Sequence, residues 1–170
     1  ITMNIKVISV FAGLGKTTVG EKYTNVCDLR SSAYRCDYSN IRSEDYEKMK
    51  CVRNRILNPD WPNNYLNALK DSIEKYDLVL VPSNQDIRDL LMENNIPFLF
   101  ILPSLDSRDL LLQRYIDRGN GQDLINNVMG YFDTWSRKQE DYSYPIMILE
   151  KNQYLEDMLL DLHLLERENS

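Results

Sequence analysis

The chain has 170 residues, of which 43% are hydrophobic and 27% are charged. At about 150 residues per domain, this length predicts one domain over residues 1–170, and the ordinary composition excludes a disordered, collagen-like or fibrous chain. Lys and Arg total 20 against 26 Asp and Glu, a formal net charge of −6. This acidic balance disfavours binding to duplex nucleic acid, although a local basic pocket for a small anion remains compatible with it.

No segment of the sequence is expected to span a membrane. The longest apolar run, residues 96–102, is far shorter than the roughly 20 residues that cross a bilayer. Cys27, Cys36 and Cys51 are odd in number and lack a Cys-x-x-Cys spacing, and His163 is the only histidine. A zinc site is therefore not expected, and we interpret the thiols as reduced, as in a cytoplasmic protein, and His163 as a structural residue.

The N-terminal segment predicts a strand, a glycine loop, a helix and a second strand. Residues 5–10 are mostly apolar and β-branched, which favours a strand. Gly13 and Gly15 end that run, residues 17–23 are typical of a helix, and residues 25–29 form a second short strand candidate.

Two helices are predicted in the segment that follows. Residues 42–56 place apolar side chains at helical spacing, and the run stops before Pro59 and Pro62, which force a turn. Residues 65–76 then resume as an amphipathic helix, and we expect Trp61 in the turn to fill space in the core rather than to stack on a ligand.

Two consecutive units share one pattern of an apolar strand, a Pro-Ser pair and a helix. The strands are residues 78–81 and 97–102, and Ser83 and Ser104 are the expected N-caps of the helices. Consecutive strand–helix units predict a parallel sheet, and continuous apolar strands predict helices on both of its faces.

The C-terminal part predicts a helix at residues 124–139, a strand at 145–149 and a final helix at 154–165. With these elements the chain has five strand candidates separated by helices. The predicted fold is α/β, a three-layer sandwich with a five-stranded parallel sheet.

The most specific motif lies between the first strand and the first helix. It consists of Gly13, Leu14, Gly15, Lys16, Thr17 and Thr18. Glycines let backbone N–H groups turn around a phosphate, a lysine reaches the β- and γ-phosphate oxygens, and a hydroxyl can hold Mg²⁺. The alternative is a glycine turn with an incidental lysine. The full pattern has glycine where Val10 stands, so Val10 must keep an extended backbone.

This loop and the order of elements resemble the P-loop kinases of the adenylate kinase-like group, the small nucleoside and nucleotide kinases, and particularly their short phage and bacterial forms. The resemblance spans nearly the whole chain in element order, but only the loop is highly specific. It implies a P-loop kinase fold, ATP and Mg²⁺ as cofactors, and a small nucleotide-type substrate.

The resemblance also implies roles for particular residues. Asp28 ends the second strand, like the acidic residue that faces the acceptor substrate. It would orient or deprotonate the acceptor hydroxyl, or form a hydrogen bond to a sugar. Arg88 follows the third strand, like an arginine that meets a substrate phosphate. Arg114 and Arg118 are similar to the arginines of a lid, and Thr17 would hold Mg²⁺.

Phosphoryl transfer needs positioning and positive charge, which Lys16, Arg114 and Arg118 would supply. Arg114 and Arg118 are four residues apart and so lie on one face of a helix, which residues 119–121 would end as a hinge. The alternative for these arginines is weak surface pairing with Asp106, Asp109 or Asp117.

The acceptor pocket is less well defined by the sequence. Its candidate residues are Ser31, Ser32, Tyr34 and Arg35 beside Asp28, whose alternative role is a turn or N-cap aspartate. The third strand ends without an aspartate, so the metal shell would depend on Thr17 together with Asp28 or Asp86, or on Thr17 alone.

We therefore expect an ATP-dependent kinase of a nucleoside, a nucleotide or a similar small acceptor. One alternative is a protein that binds ATP or GTP without turnover. A second alternative is a kinase of nucleic-acid 5′ ends, which would need a basic channel. The acceptor and the oligomeric state remain open at this level.

Overall fold

The structure is a computed structural model that describes residues 5–35, 57–138 and 144–166. In these ranges one parallel sheet is formed by β1 (Val7–Val10), β2 (Val26–Asp28), β3 (Leu78–Pro82), β4 (Phe98–Pro103) and β5 (Ile146–Leu149). The strand order is β2-β3-β1-β4-β5, and each neighbouring pair is parallel. The predicted five-stranded parallel sheet is confirmed.

Seven α-helices lie within the described residues. They are α1 (Lys16–Lys22), α2 (Ser32–Arg35), α3 (Asn63–Lys75), α4 (Gln85–Glu93), α5 (Arg108–Asp117), α6 (Gln122–Lys138) and α7 (Leu155–Asp161). The helix predicted at 42–56, together with Cys36 and Cys51, lies outside the described residues. None of the helices in the described part of the chain is both long enough and apolar enough to cross a membrane.

The centre of the sheet is buried on both faces. Every residue of β1 and β4 is buried, as are the first four residues of β3. Since successive side chains of a strand point to opposite faces, burial at consecutive positions requires cover on both sides. This agrees with a three-layer sandwich of helices, sheet and helices.

The carboxyl ends of the strands bring the loops of interest to one edge of the sheet. Val10, the last residue of β1, is paired with Pro82 of β3 and Ile101 of β4, so its backbone is extended as expected. The glycine loop leaves the sheet directly after it. The segments that follow β2 and β3 emerge at the same edge, because all the strands run in one direction.

The two expected serine caps differ from the structure. Asn84, not Ser83, is the N-cap residue of α4, because β3 extends to Pro82 and the Ser83 carbonyl accepts a hydrogen bond from Arg88 Nε. Ser104 precedes a short 3₁₀ turn, Leu105–Ser107, rather than α5 itself. Its hydroxyl is bonded to Asp106 Oδ1 and Ser107 Oγ instead of a helix N–H group.

The final helix is shorter than predicted. It ends at Asp161, because His163 takes a left-handed conformation with φ of 58°. The N–H groups of His163 and Leu164 bond to the carbonyls of Leu160 and Leu159, which closes the helix in a Schellman motif. His163 therefore ends the helix and does not flank its apolar face.

Candidate functional site

The glycine loop after β1 is held by hydrogen bonds to its carbonyl groups. Tyr115 Oη donates to the Ala12 carbonyl at 2.5 Å, and Arg114 Nη1 donates to the Gly13 carbonyl at 3.0 Å. The backbone N–H of Leu155 donates to the Leu14 carbonyl at 3.1 Å. Three successive carbonyls of the loop are thus fixed by α5 and α7.

This arrangement determines where the N–H groups of the loop point. In a trans peptide the C=O of one residue and the N–H of the next point in opposite directions. Because the carbonyls of residues 12–14 are bonded to neighbouring helices, the N–H groups of Gly13, Leu14 and Gly15 turn the other way. None of these three N–H groups has a backbone acceptor within the described ranges. The loop therefore has three successive N–H donors without a backbone partner in this part of the chain.

The glycines are required by the backbone path. Gly13 and Gly15 have φ values of 85° and 105°, in a region that residues with a Cβ rarely adopt. A Cβ on Gly13 would also lie 2.7 Å from Tyr115 Cε1. Any other residue at position 13 would therefore push Tyr115 away from the loop.

Lys16, the first residue of α1, is paired with Asp28 at the end of β2. Lys16 Nζ lies 3.1 Å from Asp28 Oδ1, and both side chains are mostly buried. Asp28 Oδ1 is fully buried and has no hydrogen-bond partner within the described residues, so the lysine charge is what balances it.

Arg30 makes a second contact with Asp28. Its Nε lies 3.4 Å from Asp28 Oδ2, and its Nη2 donates to Thr17 Oγ1 at 3.2 Å. The guanidinium group therefore lies between the hydroxyl and the carboxylate. Tyr65 Oη donates to the Leu29 carbonyl at 2.8 Å and fixes the backbone immediately before Arg30.

The close approach of α1 to β2 explains why Lys16 and Asp28 meet. A Cβ on Gly20 would lie 2.7 Å from Asp28 Cβ, which is closer than two carbon atoms can pack. Gly20 therefore lets the helix lie directly against the end of the strand.

A cavity of about 550 Å³ opens beside the glycine loop. Within residues 5–35, 57–138 and 144–166, the charged residues that line it are all basic: Lys16, Arg30, Arg35 and Arg118. The remaining polar lining includes Ser31, Ser32 and Asn84. Since the whole chain has a net charge of −6, this cavity is a local basic site in an acidic protein. We call it the larger cavity.

A smaller cavity of about 330 Å³ lies beside the same loop. It shares Gly13, Gly15, Thr18 and Arg118 with the larger cavity. Its lining also includes Tyr154, Leu155, Glu156 and Asp157. The ring of Tyr154 lies 5.2 Å from the guanidinium of Arg114, a cation–π contact.

The structure brings most of the predicted site residues together. The larger cavity is lined by Gly13, Gly15, Lys16, Thr17, Thr18, Ser31, Ser32 and Arg118, and Arg114 lies at the smaller one. Asp28 contacts Lys16 but does not line either cavity, and the Leu14 side chain is buried in the core.

The predicted role of Arg88 in the acceptor pocket is not matched by its position. Arg88 Nη1 donates to Tyr144 Oη at 2.6 Å, and its guanidinium lies 4.4 Å from the Phe100 ring centre. It does not line either of the two cavities among the described residues. Its contacts tie α4 to the sheet.

Arg35, unlike Arg88, lines the larger cavity. Its guanidinium lies 4.4 Å from the ring centre of Trp61, and its Nη1 lies 2.6 Å from Asp86 Oδ2. The stacked ring and the ion pair hold the planar group at the wall of the larger cavity. Asp86, one of the expected helpers of the metal shell, is therefore engaged with Arg35.

Several residues of the site were missed by sequence reasoning. Tyr115, Asn120 and Arg30 line the larger cavity, and Tyr154 and Glu156 line the smaller one. Arg30 could have been found, because alternate residues of an extended segment share a face and Arg30 is two positions after Asp28. Tyr115 and Tyr154 reach the loop only through long-range packing.

The residues present do not form a good site for a protein-held divalent cation. Mg²⁺ prefers carboxylate and other oxygen ligands at about 2.0–2.1 Å. Thr17 Oγ1 accepts from a cationic arginine, and Asp28 is paired with Lys16 and Arg30. Among the residues that the structure describes, no acidic one lines the larger cavity. The described part of the chain also has no group of three His, Cys, Asp or Glu residues suited to a metal.

Comparisons with known proteins do not assign this chain to a family. No protein-family model matches it, and no curated protein matches it. A solved structure described as an uncharacterized protein from Eubacterium ventriosum ATCC 27560 is similar at 16% sequence identity. That similarity covers 95% of this chain and 97% of the other, with a TM-score of 0.46.

Proposed function

We propose that this chain is an ATP-dependent phosphotransferase that binds the polyphosphate of the nucleotide on the glycine loop. One observation carries the proposal: three successive carbonyls of the loop, those of residues 12–14, accept hydrogen bonds from α5 and α7. The N–H groups of residues 13–15 therefore point away from these helices. A row of backbone donors beside basic side chains suits phosphate oxygens.

The position of the loop agrees with a P-loop kinase-like fold, which we propose for this chain. In open parallel sheets, ligands bind outside the carboxyl ends of the strands. The loop lies at that edge after the central strand β1, where two cavities share Gly13, Gly15 and Arg118.

The smaller cavity would hold the nucleoside part of ATP. Tyr154 offers an exposed aromatic ring on which a base can stack. Glu156 is paired through Oε1 with Lys22, and Asp157 accepts from the Tyr154 N–H through Oδ2, so the second oxygen of each carboxylate would meet the ribose hydroxyls. The phosphate chain would then cross the loop toward the larger cavity. Arg118 lines both cavities and would meet the transferred phosphoryl group between them.

Phosphoryl transfer needs little covalent assistance from the protein. Lys16 and Arg118 would stabilise the charge on the equatorial oxygens of the transferred group, while the loop fixes its position. Arg114 is engaged with Gly13 and would act by holding the loop.

The acceptor would lie in the larger cavity. Ser31, Ser32 and Asn84 provide hydrogen bonds, and Arg35 provides a positive charge opposite the loop. This chemistry suits a nucleoside, a nucleotide or a similar small acceptor. Asp28 would orient the acceptor hydroxyl once a phosphate has drawn Lys16 away from it.

A second candidate, a nucleotide-binding protein without turnover, is favoured by one contact. Both carboxylate oxygens of Asp28 face cations, Lys16 on one side and Arg30 on the other. If both oxygens stay paired with these cations when nucleotide is bound, neither can accept a hydrogen bond from an acceptor hydroxyl, and no acceptor is activated.

Two variants, Arg118→Ala and Lys16→Met, distinguish a kinase from a nucleotide-binding protein without turnover. In a kinase, Arg118→Ala should slow phosphoryl transfer by about 10²-fold or more with little loss of ATP affinity, because the interaction forms mainly in the transition state. Lys16→Met should weaken ATP binding under both candidates. ATP consumption against a panel of nucleosides and their monophosphates supplies the assay. Turnover with no member of the panel, in a protein that binds ATP, would favour the second candidate.

A further inference from the structure

Arg30 lies where phosphate-binding loops of this kind usually need a positive ion. Its guanidinium donates to Thr17 Oγ1 at 3.2 Å and lies 3.4 Å from Asp28 Oδ2. The hydroxyl lone pair and the carboxylate oxygen are the two groups that a divalent cation would seek here. A cationic side chain of the protein already contacts both.

We propose that Arg30 supplies from the protein the positive charge that a divalent cation held at Thr17 would otherwise supply, so that nucleotide binding to this chain is largely independent of divalent cations. The inference rests on the proposed function, since it concerns the same nucleotide site.

The larger cavity, which Thr17 lines, has no carboxylate among its described lining residues. β3 ends at Pro82, whose carbonyl accepts a hydrogen bond from Ser9 Oγ at 2.9 Å. Asp28 Oδ1 is fully buried against Lys16. A second cation beside Arg30 would be repelled by the guanidinium, and no further carboxylate of the described cavity lining would offset that repulsion.

The position of Arg30 is fixed by the backbone on which it stands. The Leu29 N–H donates to the Leu80 carbonyl at 2.9 Å, and the Leu29 carbonyl accepts from Tyr65 Oη at 2.8 Å. Arg30 therefore stands two residues after the end of β2, next to backbone that is bonded to β3 and Tyr65, and its side chain reaches Thr17. Its side chain is 47% exposed, so replacing it does not disturb the core.

The test measures the affinity of a non-hydrolysable ATP analogue by calorimetry, in excess MgCl₂ and in excess EDTA. For the unmodified protein, the dissociation constants in the two buffers should agree within about threefold. Arg30→Met should bind the analogue at least about tenfold more weakly in EDTA than in MgCl₂. Arg108→Met is the matched control, because it removes a half-exposed arginine, paired with Asp133, that lines neither cavity. Its ratio should equal that of the unmodified protein.

Three results would overturn the proposal. The first is a tenfold or larger difference between the dissociation constants of the unmodified protein in MgCl₂ and in EDTA, which is about 1.4 kcal/mol of binding free energy. The second is the same ratio in Arg30→Met as in the unmodified protein. The third is no binding in either buffer, which refutes the proposed function itself and so is distinguishable from the first two. If Arg30→Met binds too weakly to measure, the ratio in the unmodified protein decides.

Discussion

Lys16 Nζ and Asp28 Oδ1 are 3.1 Å apart, so the lysine that follows the glycine loop is held by a carboxylate at the end of β2. The same lysine is the group that we expect to bind the nucleotide phosphates. Phosphate and Asp28 therefore compete for one charge.

Replacing Asp28 tests this competition. Asp28→Asn removes the charge that holds Lys16 and the repulsion between the carboxylate and a phosphate, so ATP should bind about 3–10-fold more tightly. Phosphoryl transfer should fall at the same time, because the group that orients the acceptor is lost. Calorimetry and a turnover assay on the same sample provide both values. Weaker ATP binding by a folded Asp28→Asn variant would contradict the competition.

The contact between Gly20 and Asp28 gives a prediction for stability. Gly20→Ala should destabilise the protein by about 1–3 kcal/mol, because the added methyl group meets Asp28 Cβ at 2.7 Å and overpacks the contact. The control is Gly130→Ala in α6, where no atom lies within 4 Å. That change should stabilise by about 0.5–1 kcal/mol through helix propensity. Urea denaturation compares the two variants, and equal effects would show that the close approach of α1 to β2 is absent.

Tyr115 is expected to support the loop rather than to bind the ligand itself. Tyr115→Phe removes the hydrogen bond to the Ala12 carbonyl, which should cost about 1 kcal/mol of stability and loosen the row of N–H donors. ATP affinity should fall several-fold, about the effect of one lost hydrogen bond. Tyr131→Phe is the control, because Tyr131 is exposed on α6. Unchanged ATP affinity in Tyr115→Phe would show that the Tyr115 hydroxyl does not support ATP binding by the loop.

The buried tyrosines predict a loss of stability at high pH. Burial raises the pKa of Tyr65, and the nearby Asp28 charge raises it further; burial also raises the pKa of Tyr115. Both side chains stay neutral in the folded protein at a pH where the unfolded chain ionises, near its ordinary pKa of about 10. Their contribution is therefore complete below about pH 10 and falls as the pH rises above it.

Thermal melts from pH 8 to pH 11 measure this dependence. Tyr65→Phe lowers the melting temperature through the lost bond to Leu29, but its melting temperature should fall less steeply above about pH 10 than that of the unmodified protein. Identical slopes in the two proteins would show that Tyr65 ionises in the folded state as freely as in the unfolded one.

The sheet could be predicted from sequence because its signal is local. The continuous apolar runs that became β3 and β4 are buried on consecutive positions, as a central parallel strand requires. The helix ends were less accurate, since they depend on single residues such as Asn84 and His163, whose backbone conformation a hydrophobic pattern does not reveal.

The site was predictable only where it is contiguous in the chain. Gly13 to Thr18 form one segment, and their residue types indicate their chemistry. Arg88 was assigned to the acceptor pocket from its place after the third strand, but packing turns it onto Phe100. Tyr115 lies 103 positions after Ala12, and no local pattern shows that its hydroxyl supports the loop.

The backbone N–H groups of the loop offer the most direct measurement. Amide chemical shifts of Gly13, Leu14 and Gly15 can be followed by NMR during titration with a non-hydrolysable ATP analogue. We predict that these three amides move together to lower field as they donate to phosphate oxygens, with a midpoint equal to the calorimetric dissociation constant. If the analogue binds while these amides stay in place, the ligand is held elsewhere and the central claim is wrong.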